Sequence, residues 1–291
     1  VAPAGALCVV PFAMLLPGRT VVHVPSASTY RLLREVATER GRGVLALGAP
    51  VRLRCLRNEL PGRDPRFAAA GQALWHGIDL TRPEAGIWAG LSGTARQNIR
   101  RAEREGVVVR ASRAVADLRI FHAMHCRLRK RKYRLLAQPF ALFESLHDEL
   151  SPADGLTVLL AELDGAAVAG ILLLVWRDTL YYKFNASTDP HCRPNDLLLW
   201  TAIRLGRERR LRRLDLGLSD PAQPGLVRYK RKFATEERPI HLLAARPPAP
   251  ADRRGEQATE LLRCVTRLLT EPDVPDHVTA AAGERLYRFF G

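Results

Sequence analysis

The chain has 291 residues, of which 47% are hydrophobic, and this is enough to fill the core of one large domain or two small ones. A formal net charge of +15 and a pI near 10.4 indicate a polyanionic partner, with nucleic acid the first class and an acidic membrane surface the second. GC-rich codon usage explains why only five of the 45 basic residues are lysines, but it does not explain the excess of bases over acids.

The cysteines are dispersed and contain no C-x-x-C pair, which predicts reduced, buried thiols in a cytoplasmic protein without a disulfide framework or a zinc site. They are Cys8, Cys55, Cys126, Cys192 and Cys264. His122, His125 and Cys126 share a helix face, but no second cluster has matching spacing, so we expect no metal. Proline interrupts the first apolar run, and no stretch reaches the about 20 apolar residues of a membrane-spanning helix. We therefore expect neither a signal peptide nor a transmembrane segment.

The first quarter of the chain alternates strand-like and helical patterns. Residues 1–24 predict a strand pair that turns at Pro17-Gly18, and Ser28–Arg40 has apolar residues at helical spacing. Strands are predicted at Gly43–Leu47, Val51–Leu56 and Ala73–Leu80.

The segment LSGTARQNIRRAEREG predicts a helix with a narrow apolar stripe of Ala95, Ile99 and Ala102. Thr94 and Gln97 have the spacing of a capping box. Arginines four residues apart share one face, and we favour a phosphate-facing row over a merely solvated surface. These arginines are Arg96, Arg100 and Arg104.

A short strand is predicted at Val107–Arg110, followed by two helices that bracket a basic loop. The helices are Val115–Leu128 and Phe140–Leu150, and the loop RLRKRKYR spans Arg127–Arg134. Dense positive charge beside an aromatic residue suits phosphate contact with base stacking, and a solvated helix end is the alternative.

The stretch from Val158 to Phe233 contains the elements on which function is expected to depend. It predicts strands at Ala167–Trp176 and Leu180–Ala186, a helix at Asn195–Arg210, a strand at Leu214–Gly217 and a basic loop at Gly225–Phe233. Two amphipathic helices, Gly255–Leu269 and His277–Phe290, close the chain after a proline-rich link.

Six segments together, in the same order, resemble the FemABX-type branch of the Gcn5-related acyltransferases. They are TARQNIRRAEREGV, RKRKYRLLAQPFALFESL, LLAELDGAAVAGILLLVWRDTLYYKFNAS, PNDLLLWTAIRLGRERRLRRLDLG, GLVRYKRKF and GERLYRFFG. The resemblance implies an α/β fold of tandem acyltransferase-like domains with mixed sheets flanked by helices. It places a first domain, incomplete at its N-terminus, at residues 1–106 and a second at 107–244, with residues 245–291 packing back on the first.

Members of this branch transfer an amino acid from a charged tRNA to an amino group, on a peptidoglycan precursor or on a small peptide-like antibiotic. Tyr229-Lys230 matches the family's aromatic-lysine motif, which implies that Lys230 stabilises the oxyanion and that Tyr229 positions the reacting group. The expected substrate-binding residues are Tyr181, Asn185, Asn195 and Asp215. The expected tRNA-binding residues are Arg96, Arg100, Arg129, Lys130, Arg131, Lys132, Arg228, Arg231 and Lys232.

Acetyl-CoA is the alternative donor, and acetyltransferases hold its pyrophosphate with a glycine-rich turn at a helix N-terminus. Here no glycine stands between Gly170 and Gly206, so we prefer charged tRNA as co-substrate and expect no cofactor. A non-catalytic RNA-binding module is a third possibility. The protein is expected to act as a monomer.

Overall fold

A computed structural model describes residues 23–24, 51–55, 65, 67–189, 191–245 and 253–287. The predicted turn at Pro17-Gly18, the helix at Ser28–Arg40 and the strand at Gly43–Leu47 lie outside the described residues. The proline-rich link after Ala245 lies outside them as well.

The described strands form one mixed sheet, which confirms the predicted α/β class. In chain order they are β1 His23–Val24, β2 Val51–Cys55, β3 Phe67–Asp79, β4 Val108–Ser112, β5 Leu156–Leu163, β6 Ala166–Trp176, β7 Thr179–Ser187, β8 Arg213–Ser219 and β9 Glu236–Ala245. Their order across the sheet is β1-β2-β9-β3-β8-β7-β6-β5-β4. The pairs β1–β2 and β7–β8 are parallel and the other described pairs are antiparallel.

Helices cover both faces of this sheet. They are α1 Glu84–Gly90, α2 Gly93–Arg104, α3 Val115–Leu128, α4 Phe140–Leu150, α5 Pro194–Glu208, α6 Pro224–Arg231, α7 Arg253–Leu269 and α8 Asp276–Leu286. One core joins α1, α2 and α5 to the sheet, and a second core joins α3 and α4 to the opposite face of β5 and β6.

Helix α2 begins two residues earlier than the capping box predicted. The Ser92 hydroxyl accepts the N–H of Ala95, so Ser92 and not Thr94 is the cap. The predicted apolar stripe is confirmed, because Ala95, Ile99 and Ala102 are fully buried.

The pairing of β7 with β8 joins the two halves of the described sheet and is short. Only Thr179–Tyr181 pairs with Arg213–Asp215, although β7 continues to Ser187 along β6 and β8 continues to Ser219 along β3. A register shift opposite Leu172 and Leu173 adds a residue to β7 just after its last pair with β8. Such bulges bend a strand, so β7 turns away from β8 and the sheet opens at this point.

The basic segment after α3 is a π-helical turn, Arg129–Tyr133, and not a loop. The Lys130 ammonium is buried and donates to the carbonyl of Val274 and to Asp276 Oδ1. Arg134 reaches the Thr270 carbonyl, and Glu284 of α8 accepts the Phe140 N–H at 2.7 Å.

In the described residues, α8 and the link before it contact α3 and the segment up to Phe140, which fall within residues 107–244. The buried Lys130 makes two of these contacts, and its partners are supplied by the link between α7 and α8 and by the start of α8. The packing of residues 245–291 on the first domain stays a prediction. The division of the chain at residue 106 stays a prediction.

Two histidines of α3 hold the segment that follows the π-helical turn. His122 Nε2 bonds to the Gln138 carbonyl at 2.8 Å, and His125 Nε2 bonds to Gln138 Oε1 at 2.7 Å. Burial among Phe121, Phe143 and Phe184 lowers the pKa of His125 from 6.5 to about 4. Both imidazoles are therefore neutral structural groups at pH 7.

We predict that this arrangement makes the fold acid-sensitive. Since the pKa of His125 is lower in the folded chain, its contribution to stability is fully present above pH 6.5 and disappears as the pH falls toward 4, a loss of about 3 kcal/mol. Urea unfolding between pH 7 and pH 4 measures this slope. His125→Gln retains a side chain that hydrogen-bonds but does not titrate, so its slope is expected to be smaller; an equal slope would contradict the assignment.

Candidate active site

The opening between β7 and β8 brings together the ends of four elements. The carboxyl-terminal halves of β7 and β8 line it, α5 begins beside it, and α6 follows β8. The segment predicted as a basic loop is mostly helix, since α6 runs from Pro224 to Arg231. Pro224 at the first position, where no N–H is needed, explains why the helix starts there.

Lys230 points from α6 to the end of β8. Its side chain is 6% exposed, and its Nζ donates to the carbonyls of Leu218 at 2.7 Å and Gly217 at 3.2 Å. Both carbonyls lie past the last residue that pairs with β7. Gly217 has φ of 71°, a left-handed conformation that favours glycine. Burial lowers the pKa of Lys230 to about 8.

Tyr229 connects α6 to the start of α5. Its hydroxyl donates to the Asn195 carbonyl at 3.1 Å, and its ring contacts Phe233. Burial raises the pKa of Tyr229 well above its usual value, so the phenol stays protonated. The Asn195 side-chain oxygen is buried, with no hydrogen-bond partner among the described residues.

A buried ion pair reinforces the same connection. Lys232 Nζ lies 2.5 Å from Asp196 Oδ1, and the Asp196 side chain is 8% exposed. Asp196 also stands in the first turn of α5, where a carboxylate is favoured by the helix dipole. Lys232 is therefore bound within the fold and is not presented to phosphate as predicted.

Asp215 stands at the mouth of the opening, where β7–β8 pairing ends. Its Oδ1 accepts the Gly217 N–H at 2.6 Å, and the Trp75 side chain donates a second hydrogen bond. Burial raises the pKa of Asp215, while Lys230 and Lys183 act in the opposite direction. Tyr181 is the register partner of Asp215, and Asn185 lies further along β7, where the strand pairs with β6 alone.

The chain was compared with known protein families and with curated proteins. Residues 90–231 match the family described as Acetyltransferase (GNAT) domain. This part of the chain is therefore similar to a GNAT domain. The match covers α2 to α6 and so includes the opening and Lys230. No curated protein matches significantly.

Solved structures show the same fold at low sequence identity. FemX is 14% identical with a TM-score of 0.61, over 77% of this chain and 80% of FemX. The C-terminal domain of a putative lysylphosphatidylglycerol synthetase from Agrobacterium fabrum is 17% identical with a TM-score of 0.54, over 84% of this chain and 81% of that one. L-PGS from Bacillus licheniformis is 16% identical with a TM-score of 0.52, over 86% and 82%. The predicted resemblance to the FemX-like branch of the GNAT superfamily is thus confirmed at the level of the fold.

Several of the cations predicted to bind tRNA are used inside the GNAT fold. Arg231 forms two hydrogen bonds with Glu237, at 2.6 and 2.7 Å. Arg129 donates to the Leu136 carbonyl, and Arg96 donates to the carbonyls of Ala89 and Leu91 at the end of α1. With Lys130 and Lys232, these residues have structural partners, so the predicted row on α2 is interrupted at its first arginine.

The remaining predicted cations are exposed. Arg100 lies 5.7 Å from the Trp88 ring, Lys132 lies 5.6 Å from the Tyr133 ring, and Arg131 is 73% exposed and 3.6 Å from Asp276. Arg228 is exposed on α6, beside the partly buried Tyr229 and the buried Lys230. Their role in tRNA binding stays a prediction.

Sequence reasoning missed His76 and Trp75 on β3. His76 is fully buried, and its Nε2 donates to Glu237 at 2.9 Å. Burial lowers the pKa of His76, and Lys230 is close enough to lower it further. The available signal was Gly77 within a strand, which is typical of a bulge, and the register of β3 against β8 does shift between Trp75 and Gly77.

The described residues contain no group of three or more His, Cys, Asp or Glu side chains suited to a metal ion. In the same part of the chain, no helix is both long and apolar enough to cross a membrane.

Cys126, Cys192 and Cys264 are free thiols. The prediction that all cysteines are buried is wrong for Cys264, which is exposed on α7.

We predict that the Lys232–Asp196 pair stabilises the docking of α6. Lys232→Met leaves a buried, unpaired carboxylate, so the free energy of unfolding is expected to fall by about 3 kcal/mol. Adding Asp196→Asn removes that charge and is expected to recover most of the loss in urea unfolding. Strictly additive losses in the double variant would show that the two side chains are not coupled.

Proposed function

We propose that this GNAT domain transfers an amino acid from an aminoacyl-tRNA to the amino group of an acceptor. The amine nitrogen attacks the ester carbonyl carbon, the C–N bond forms, and the C–O bond to the terminal ribose breaks. One proton leaves the attacking amine and the ribose oxygen gains one, so a peptide bond and uncharged tRNA result. The acceptor class proposed is a peptidoglycan precursor or a small peptide-like natural product.

The observation that carries the proposal is the buried ammonium of Lys230 at the opening in the sheet. An ammonium has three N–H donors, and two of them bind the carbonyls of Gly217 and Leu218. The third is left to meet the oxyanion that develops on the ester carbonyl. A fixed donor in a site with little water stabilises that charge strongly. The ester is already activated, so positioning and oxyanion stabilisation are the main requirements.

The start of α5 supports tRNA over acetyl-CoA as the donor. A pyrophosphate needs close backbone N–H groups and a site that accepts negative charge. Here the first turn of α5 already contains the buried Asp196 carboxylate, whose charge Lys232 balances. No glycine precedes the helix after Gly170, so the backbone also lacks the usual close approach.

The structural neighbours support the same reaction class. FemX, the C-terminal domain of the putative lysylphosphatidylglycerol synthetase and L-PGS share the fold over more than three quarters of this chain. The exposed cations Arg100, Arg131, Lys132 and Arg228 provide positive surface for an RNA backbone, consistent with the net charge of +15.

The direct test supplies an amine acceptor with either charged tRNA or acetyl-CoA and identifies the conjugate by mass spectrometry. We expect product with charged tRNA. Lys230→Met, which keeps the length of the side chain but removes its charge, is expected to lower the rate by 10²–10³-fold, as for loss of an oxyanion donor. Circular dichroism of that variant serves as the control for folding.

Two results would overturn the proposal. Product with acetyl-CoA alone would make the protein a CoA-dependent N-acetyltransferase. Binding of RNA without any product would leave a non-catalytic RNA-binding module.

We predict that Arg228→Gln and Lys132→Gln each weaken tRNA binding and reduce the slope of log K against log salt concentration by about one. The matched control is Arg212→Gln, because Arg212 is 74% exposed but lies at the start of β8, away from α6. Filter binding at several salt concentrations measures the slope. Equal slopes in all three variants would exclude Arg228 and Lys132 from the RNA interface.

A further inference from the structure

We infer that Asp215, held by Trp75, is the counter-ion that keeps Lys230 protonated and so competent to stabilise an oxyanion. This makes Asp215 a positioning residue that acts through Lys230, and the inference rests on the role of Lys230 in the proposed function.

Among the described residues, Lys230 has no direct ion pair. Its hydrogen-bond partners in the described residues are two backbone carbonyls, and none of the described carboxylate oxygens lies within 4.0 Å of its Nζ. A buried ammonium without a nearby negative charge tends to lose its proton. A neutral amine would be a much weaker donor to an oxyanion.

The charge that compensates Lys230 must come from the elements packed around it. The charged and titratable groups on the surrounding elements are Asp215 on β8, His76 on β3, Lys183 on β7, Glu237 on β9 and Arg231 on α6. Glu237 is bound by Arg231 through two hydrogen bonds and by His76 through a third. Asp196 is bound by Lys232. This leaves Asp215, the carboxylate that acts on Lys230 through charge and raises its pKa.

The fold fixes the Asp215 carboxylate. The Gly217 N–H donates to it from the residue whose carbonyl binds Lys230, so one short turn of β8 orients both groups. On the other side the Trp75 indole donates, and this ring lies over Gly77, where a Cβ atom would approach it to 2.3 Å. Arg213 and Arg238 each lie 5.6 Å from the ring. Trp75 is therefore held in place and the carboxylate with it.

The test measures the protonation of Lys230 directly. The chain has five lysines, so NMR of selectively labelled lysine side chains resolves few signals, and Lys230→Arg assigns one of them. The wild-type midpoint is expected near pH 8. In Asp215→Asn, which keeps the shape and the contacts of the side chain, the midpoint is expected to fall by about one pH unit or more. Trp75→Phe, which lacks the indole N–H, gives a second variant in which the midpoint is also expected to fall.

The control is Asp178→Asn, because Asp178 is 59% exposed in the turn between β6 and β7. Its midpoint is expected to equal that of the wild type. In the transfer assay, the rate of the wild type is expected to fall as the pH rises through 8, and Asp215→Asn is expected to move this alkaline limb to lower pH.

A purely structural role for Asp215 would lower the rate equally at all pH values and leave the Lys230 midpoint in place; that result would overturn the inference. A shifted midpoint without aminoacyl product in either protein would support the counter-ion and refute the proposed function.

Discussion

Three residue pairs between β7 and β8 join the two halves of the described sheet, and the candidate site depends on how early this pairing ends. Each strand keeps its outer neighbour, so the sheet remains intact while its centre opens. Backbone groups at such an opening lose their strand partner and need another. Lys230 provides one, because its ammonium binds the carbonyls of Gly217 and Leu218 at the end of β8.

The buried Lys230 ammonium needs a compensating negative charge nearby and neighbours that hold both groups in place. Asp215 supplies negative charge, Trp75 and Gly217 hold that carboxylate, and the neighbouring Glu237 is already bound by Arg231 and His76. The helix that carries Lys230 is fixed in turn, since the Tyr229 hydroxyl and the Lys232 ammonium both bind the first turn of α5. A group that must stabilise transient charge works best when it does not have to reorganise, and these contacts provide that rigidity.

Much of the fold could be predicted because its elements have clear local patterns. Val115–Leu128 and Phe140–Leu150 were predicted with their observed bounds, and the stripe of Ala95, Ile99 and Ala102 is buried as expected. Where local signals competed, prediction was less accurate. Ser92 caps α2 although Thr94 had a better capping motif, and the basic density of residues 225–233 concealed the helix start at Pro224.

The partners of charged residues could not be predicted, because they lie far apart in sequence. Lys130 pairs with Asp276 and Lys232 with Asp196, across 146 and 36 positions respectively. A count of basic residues in the sequence therefore overestimates the positively charged surface that could contact an RNA backbone. The position of Lys230 in the site was indicated by its motif, but the buried environment that changes its pKa arises only when β3, β8 and α6 meet.

The most direct measurement is a crystal structure with a short RNA whose 3′-terminal ribose carries an amino acid through a stable amide. We expect the carbonyl oxygen of this amide to lie in the opening between β7 and β8, within hydrogen-bond distance of Lys230 Nζ. An aminoacyl end bound elsewhere, with Lys230 still contacting only Gly217 and Leu218, would contradict this expectation.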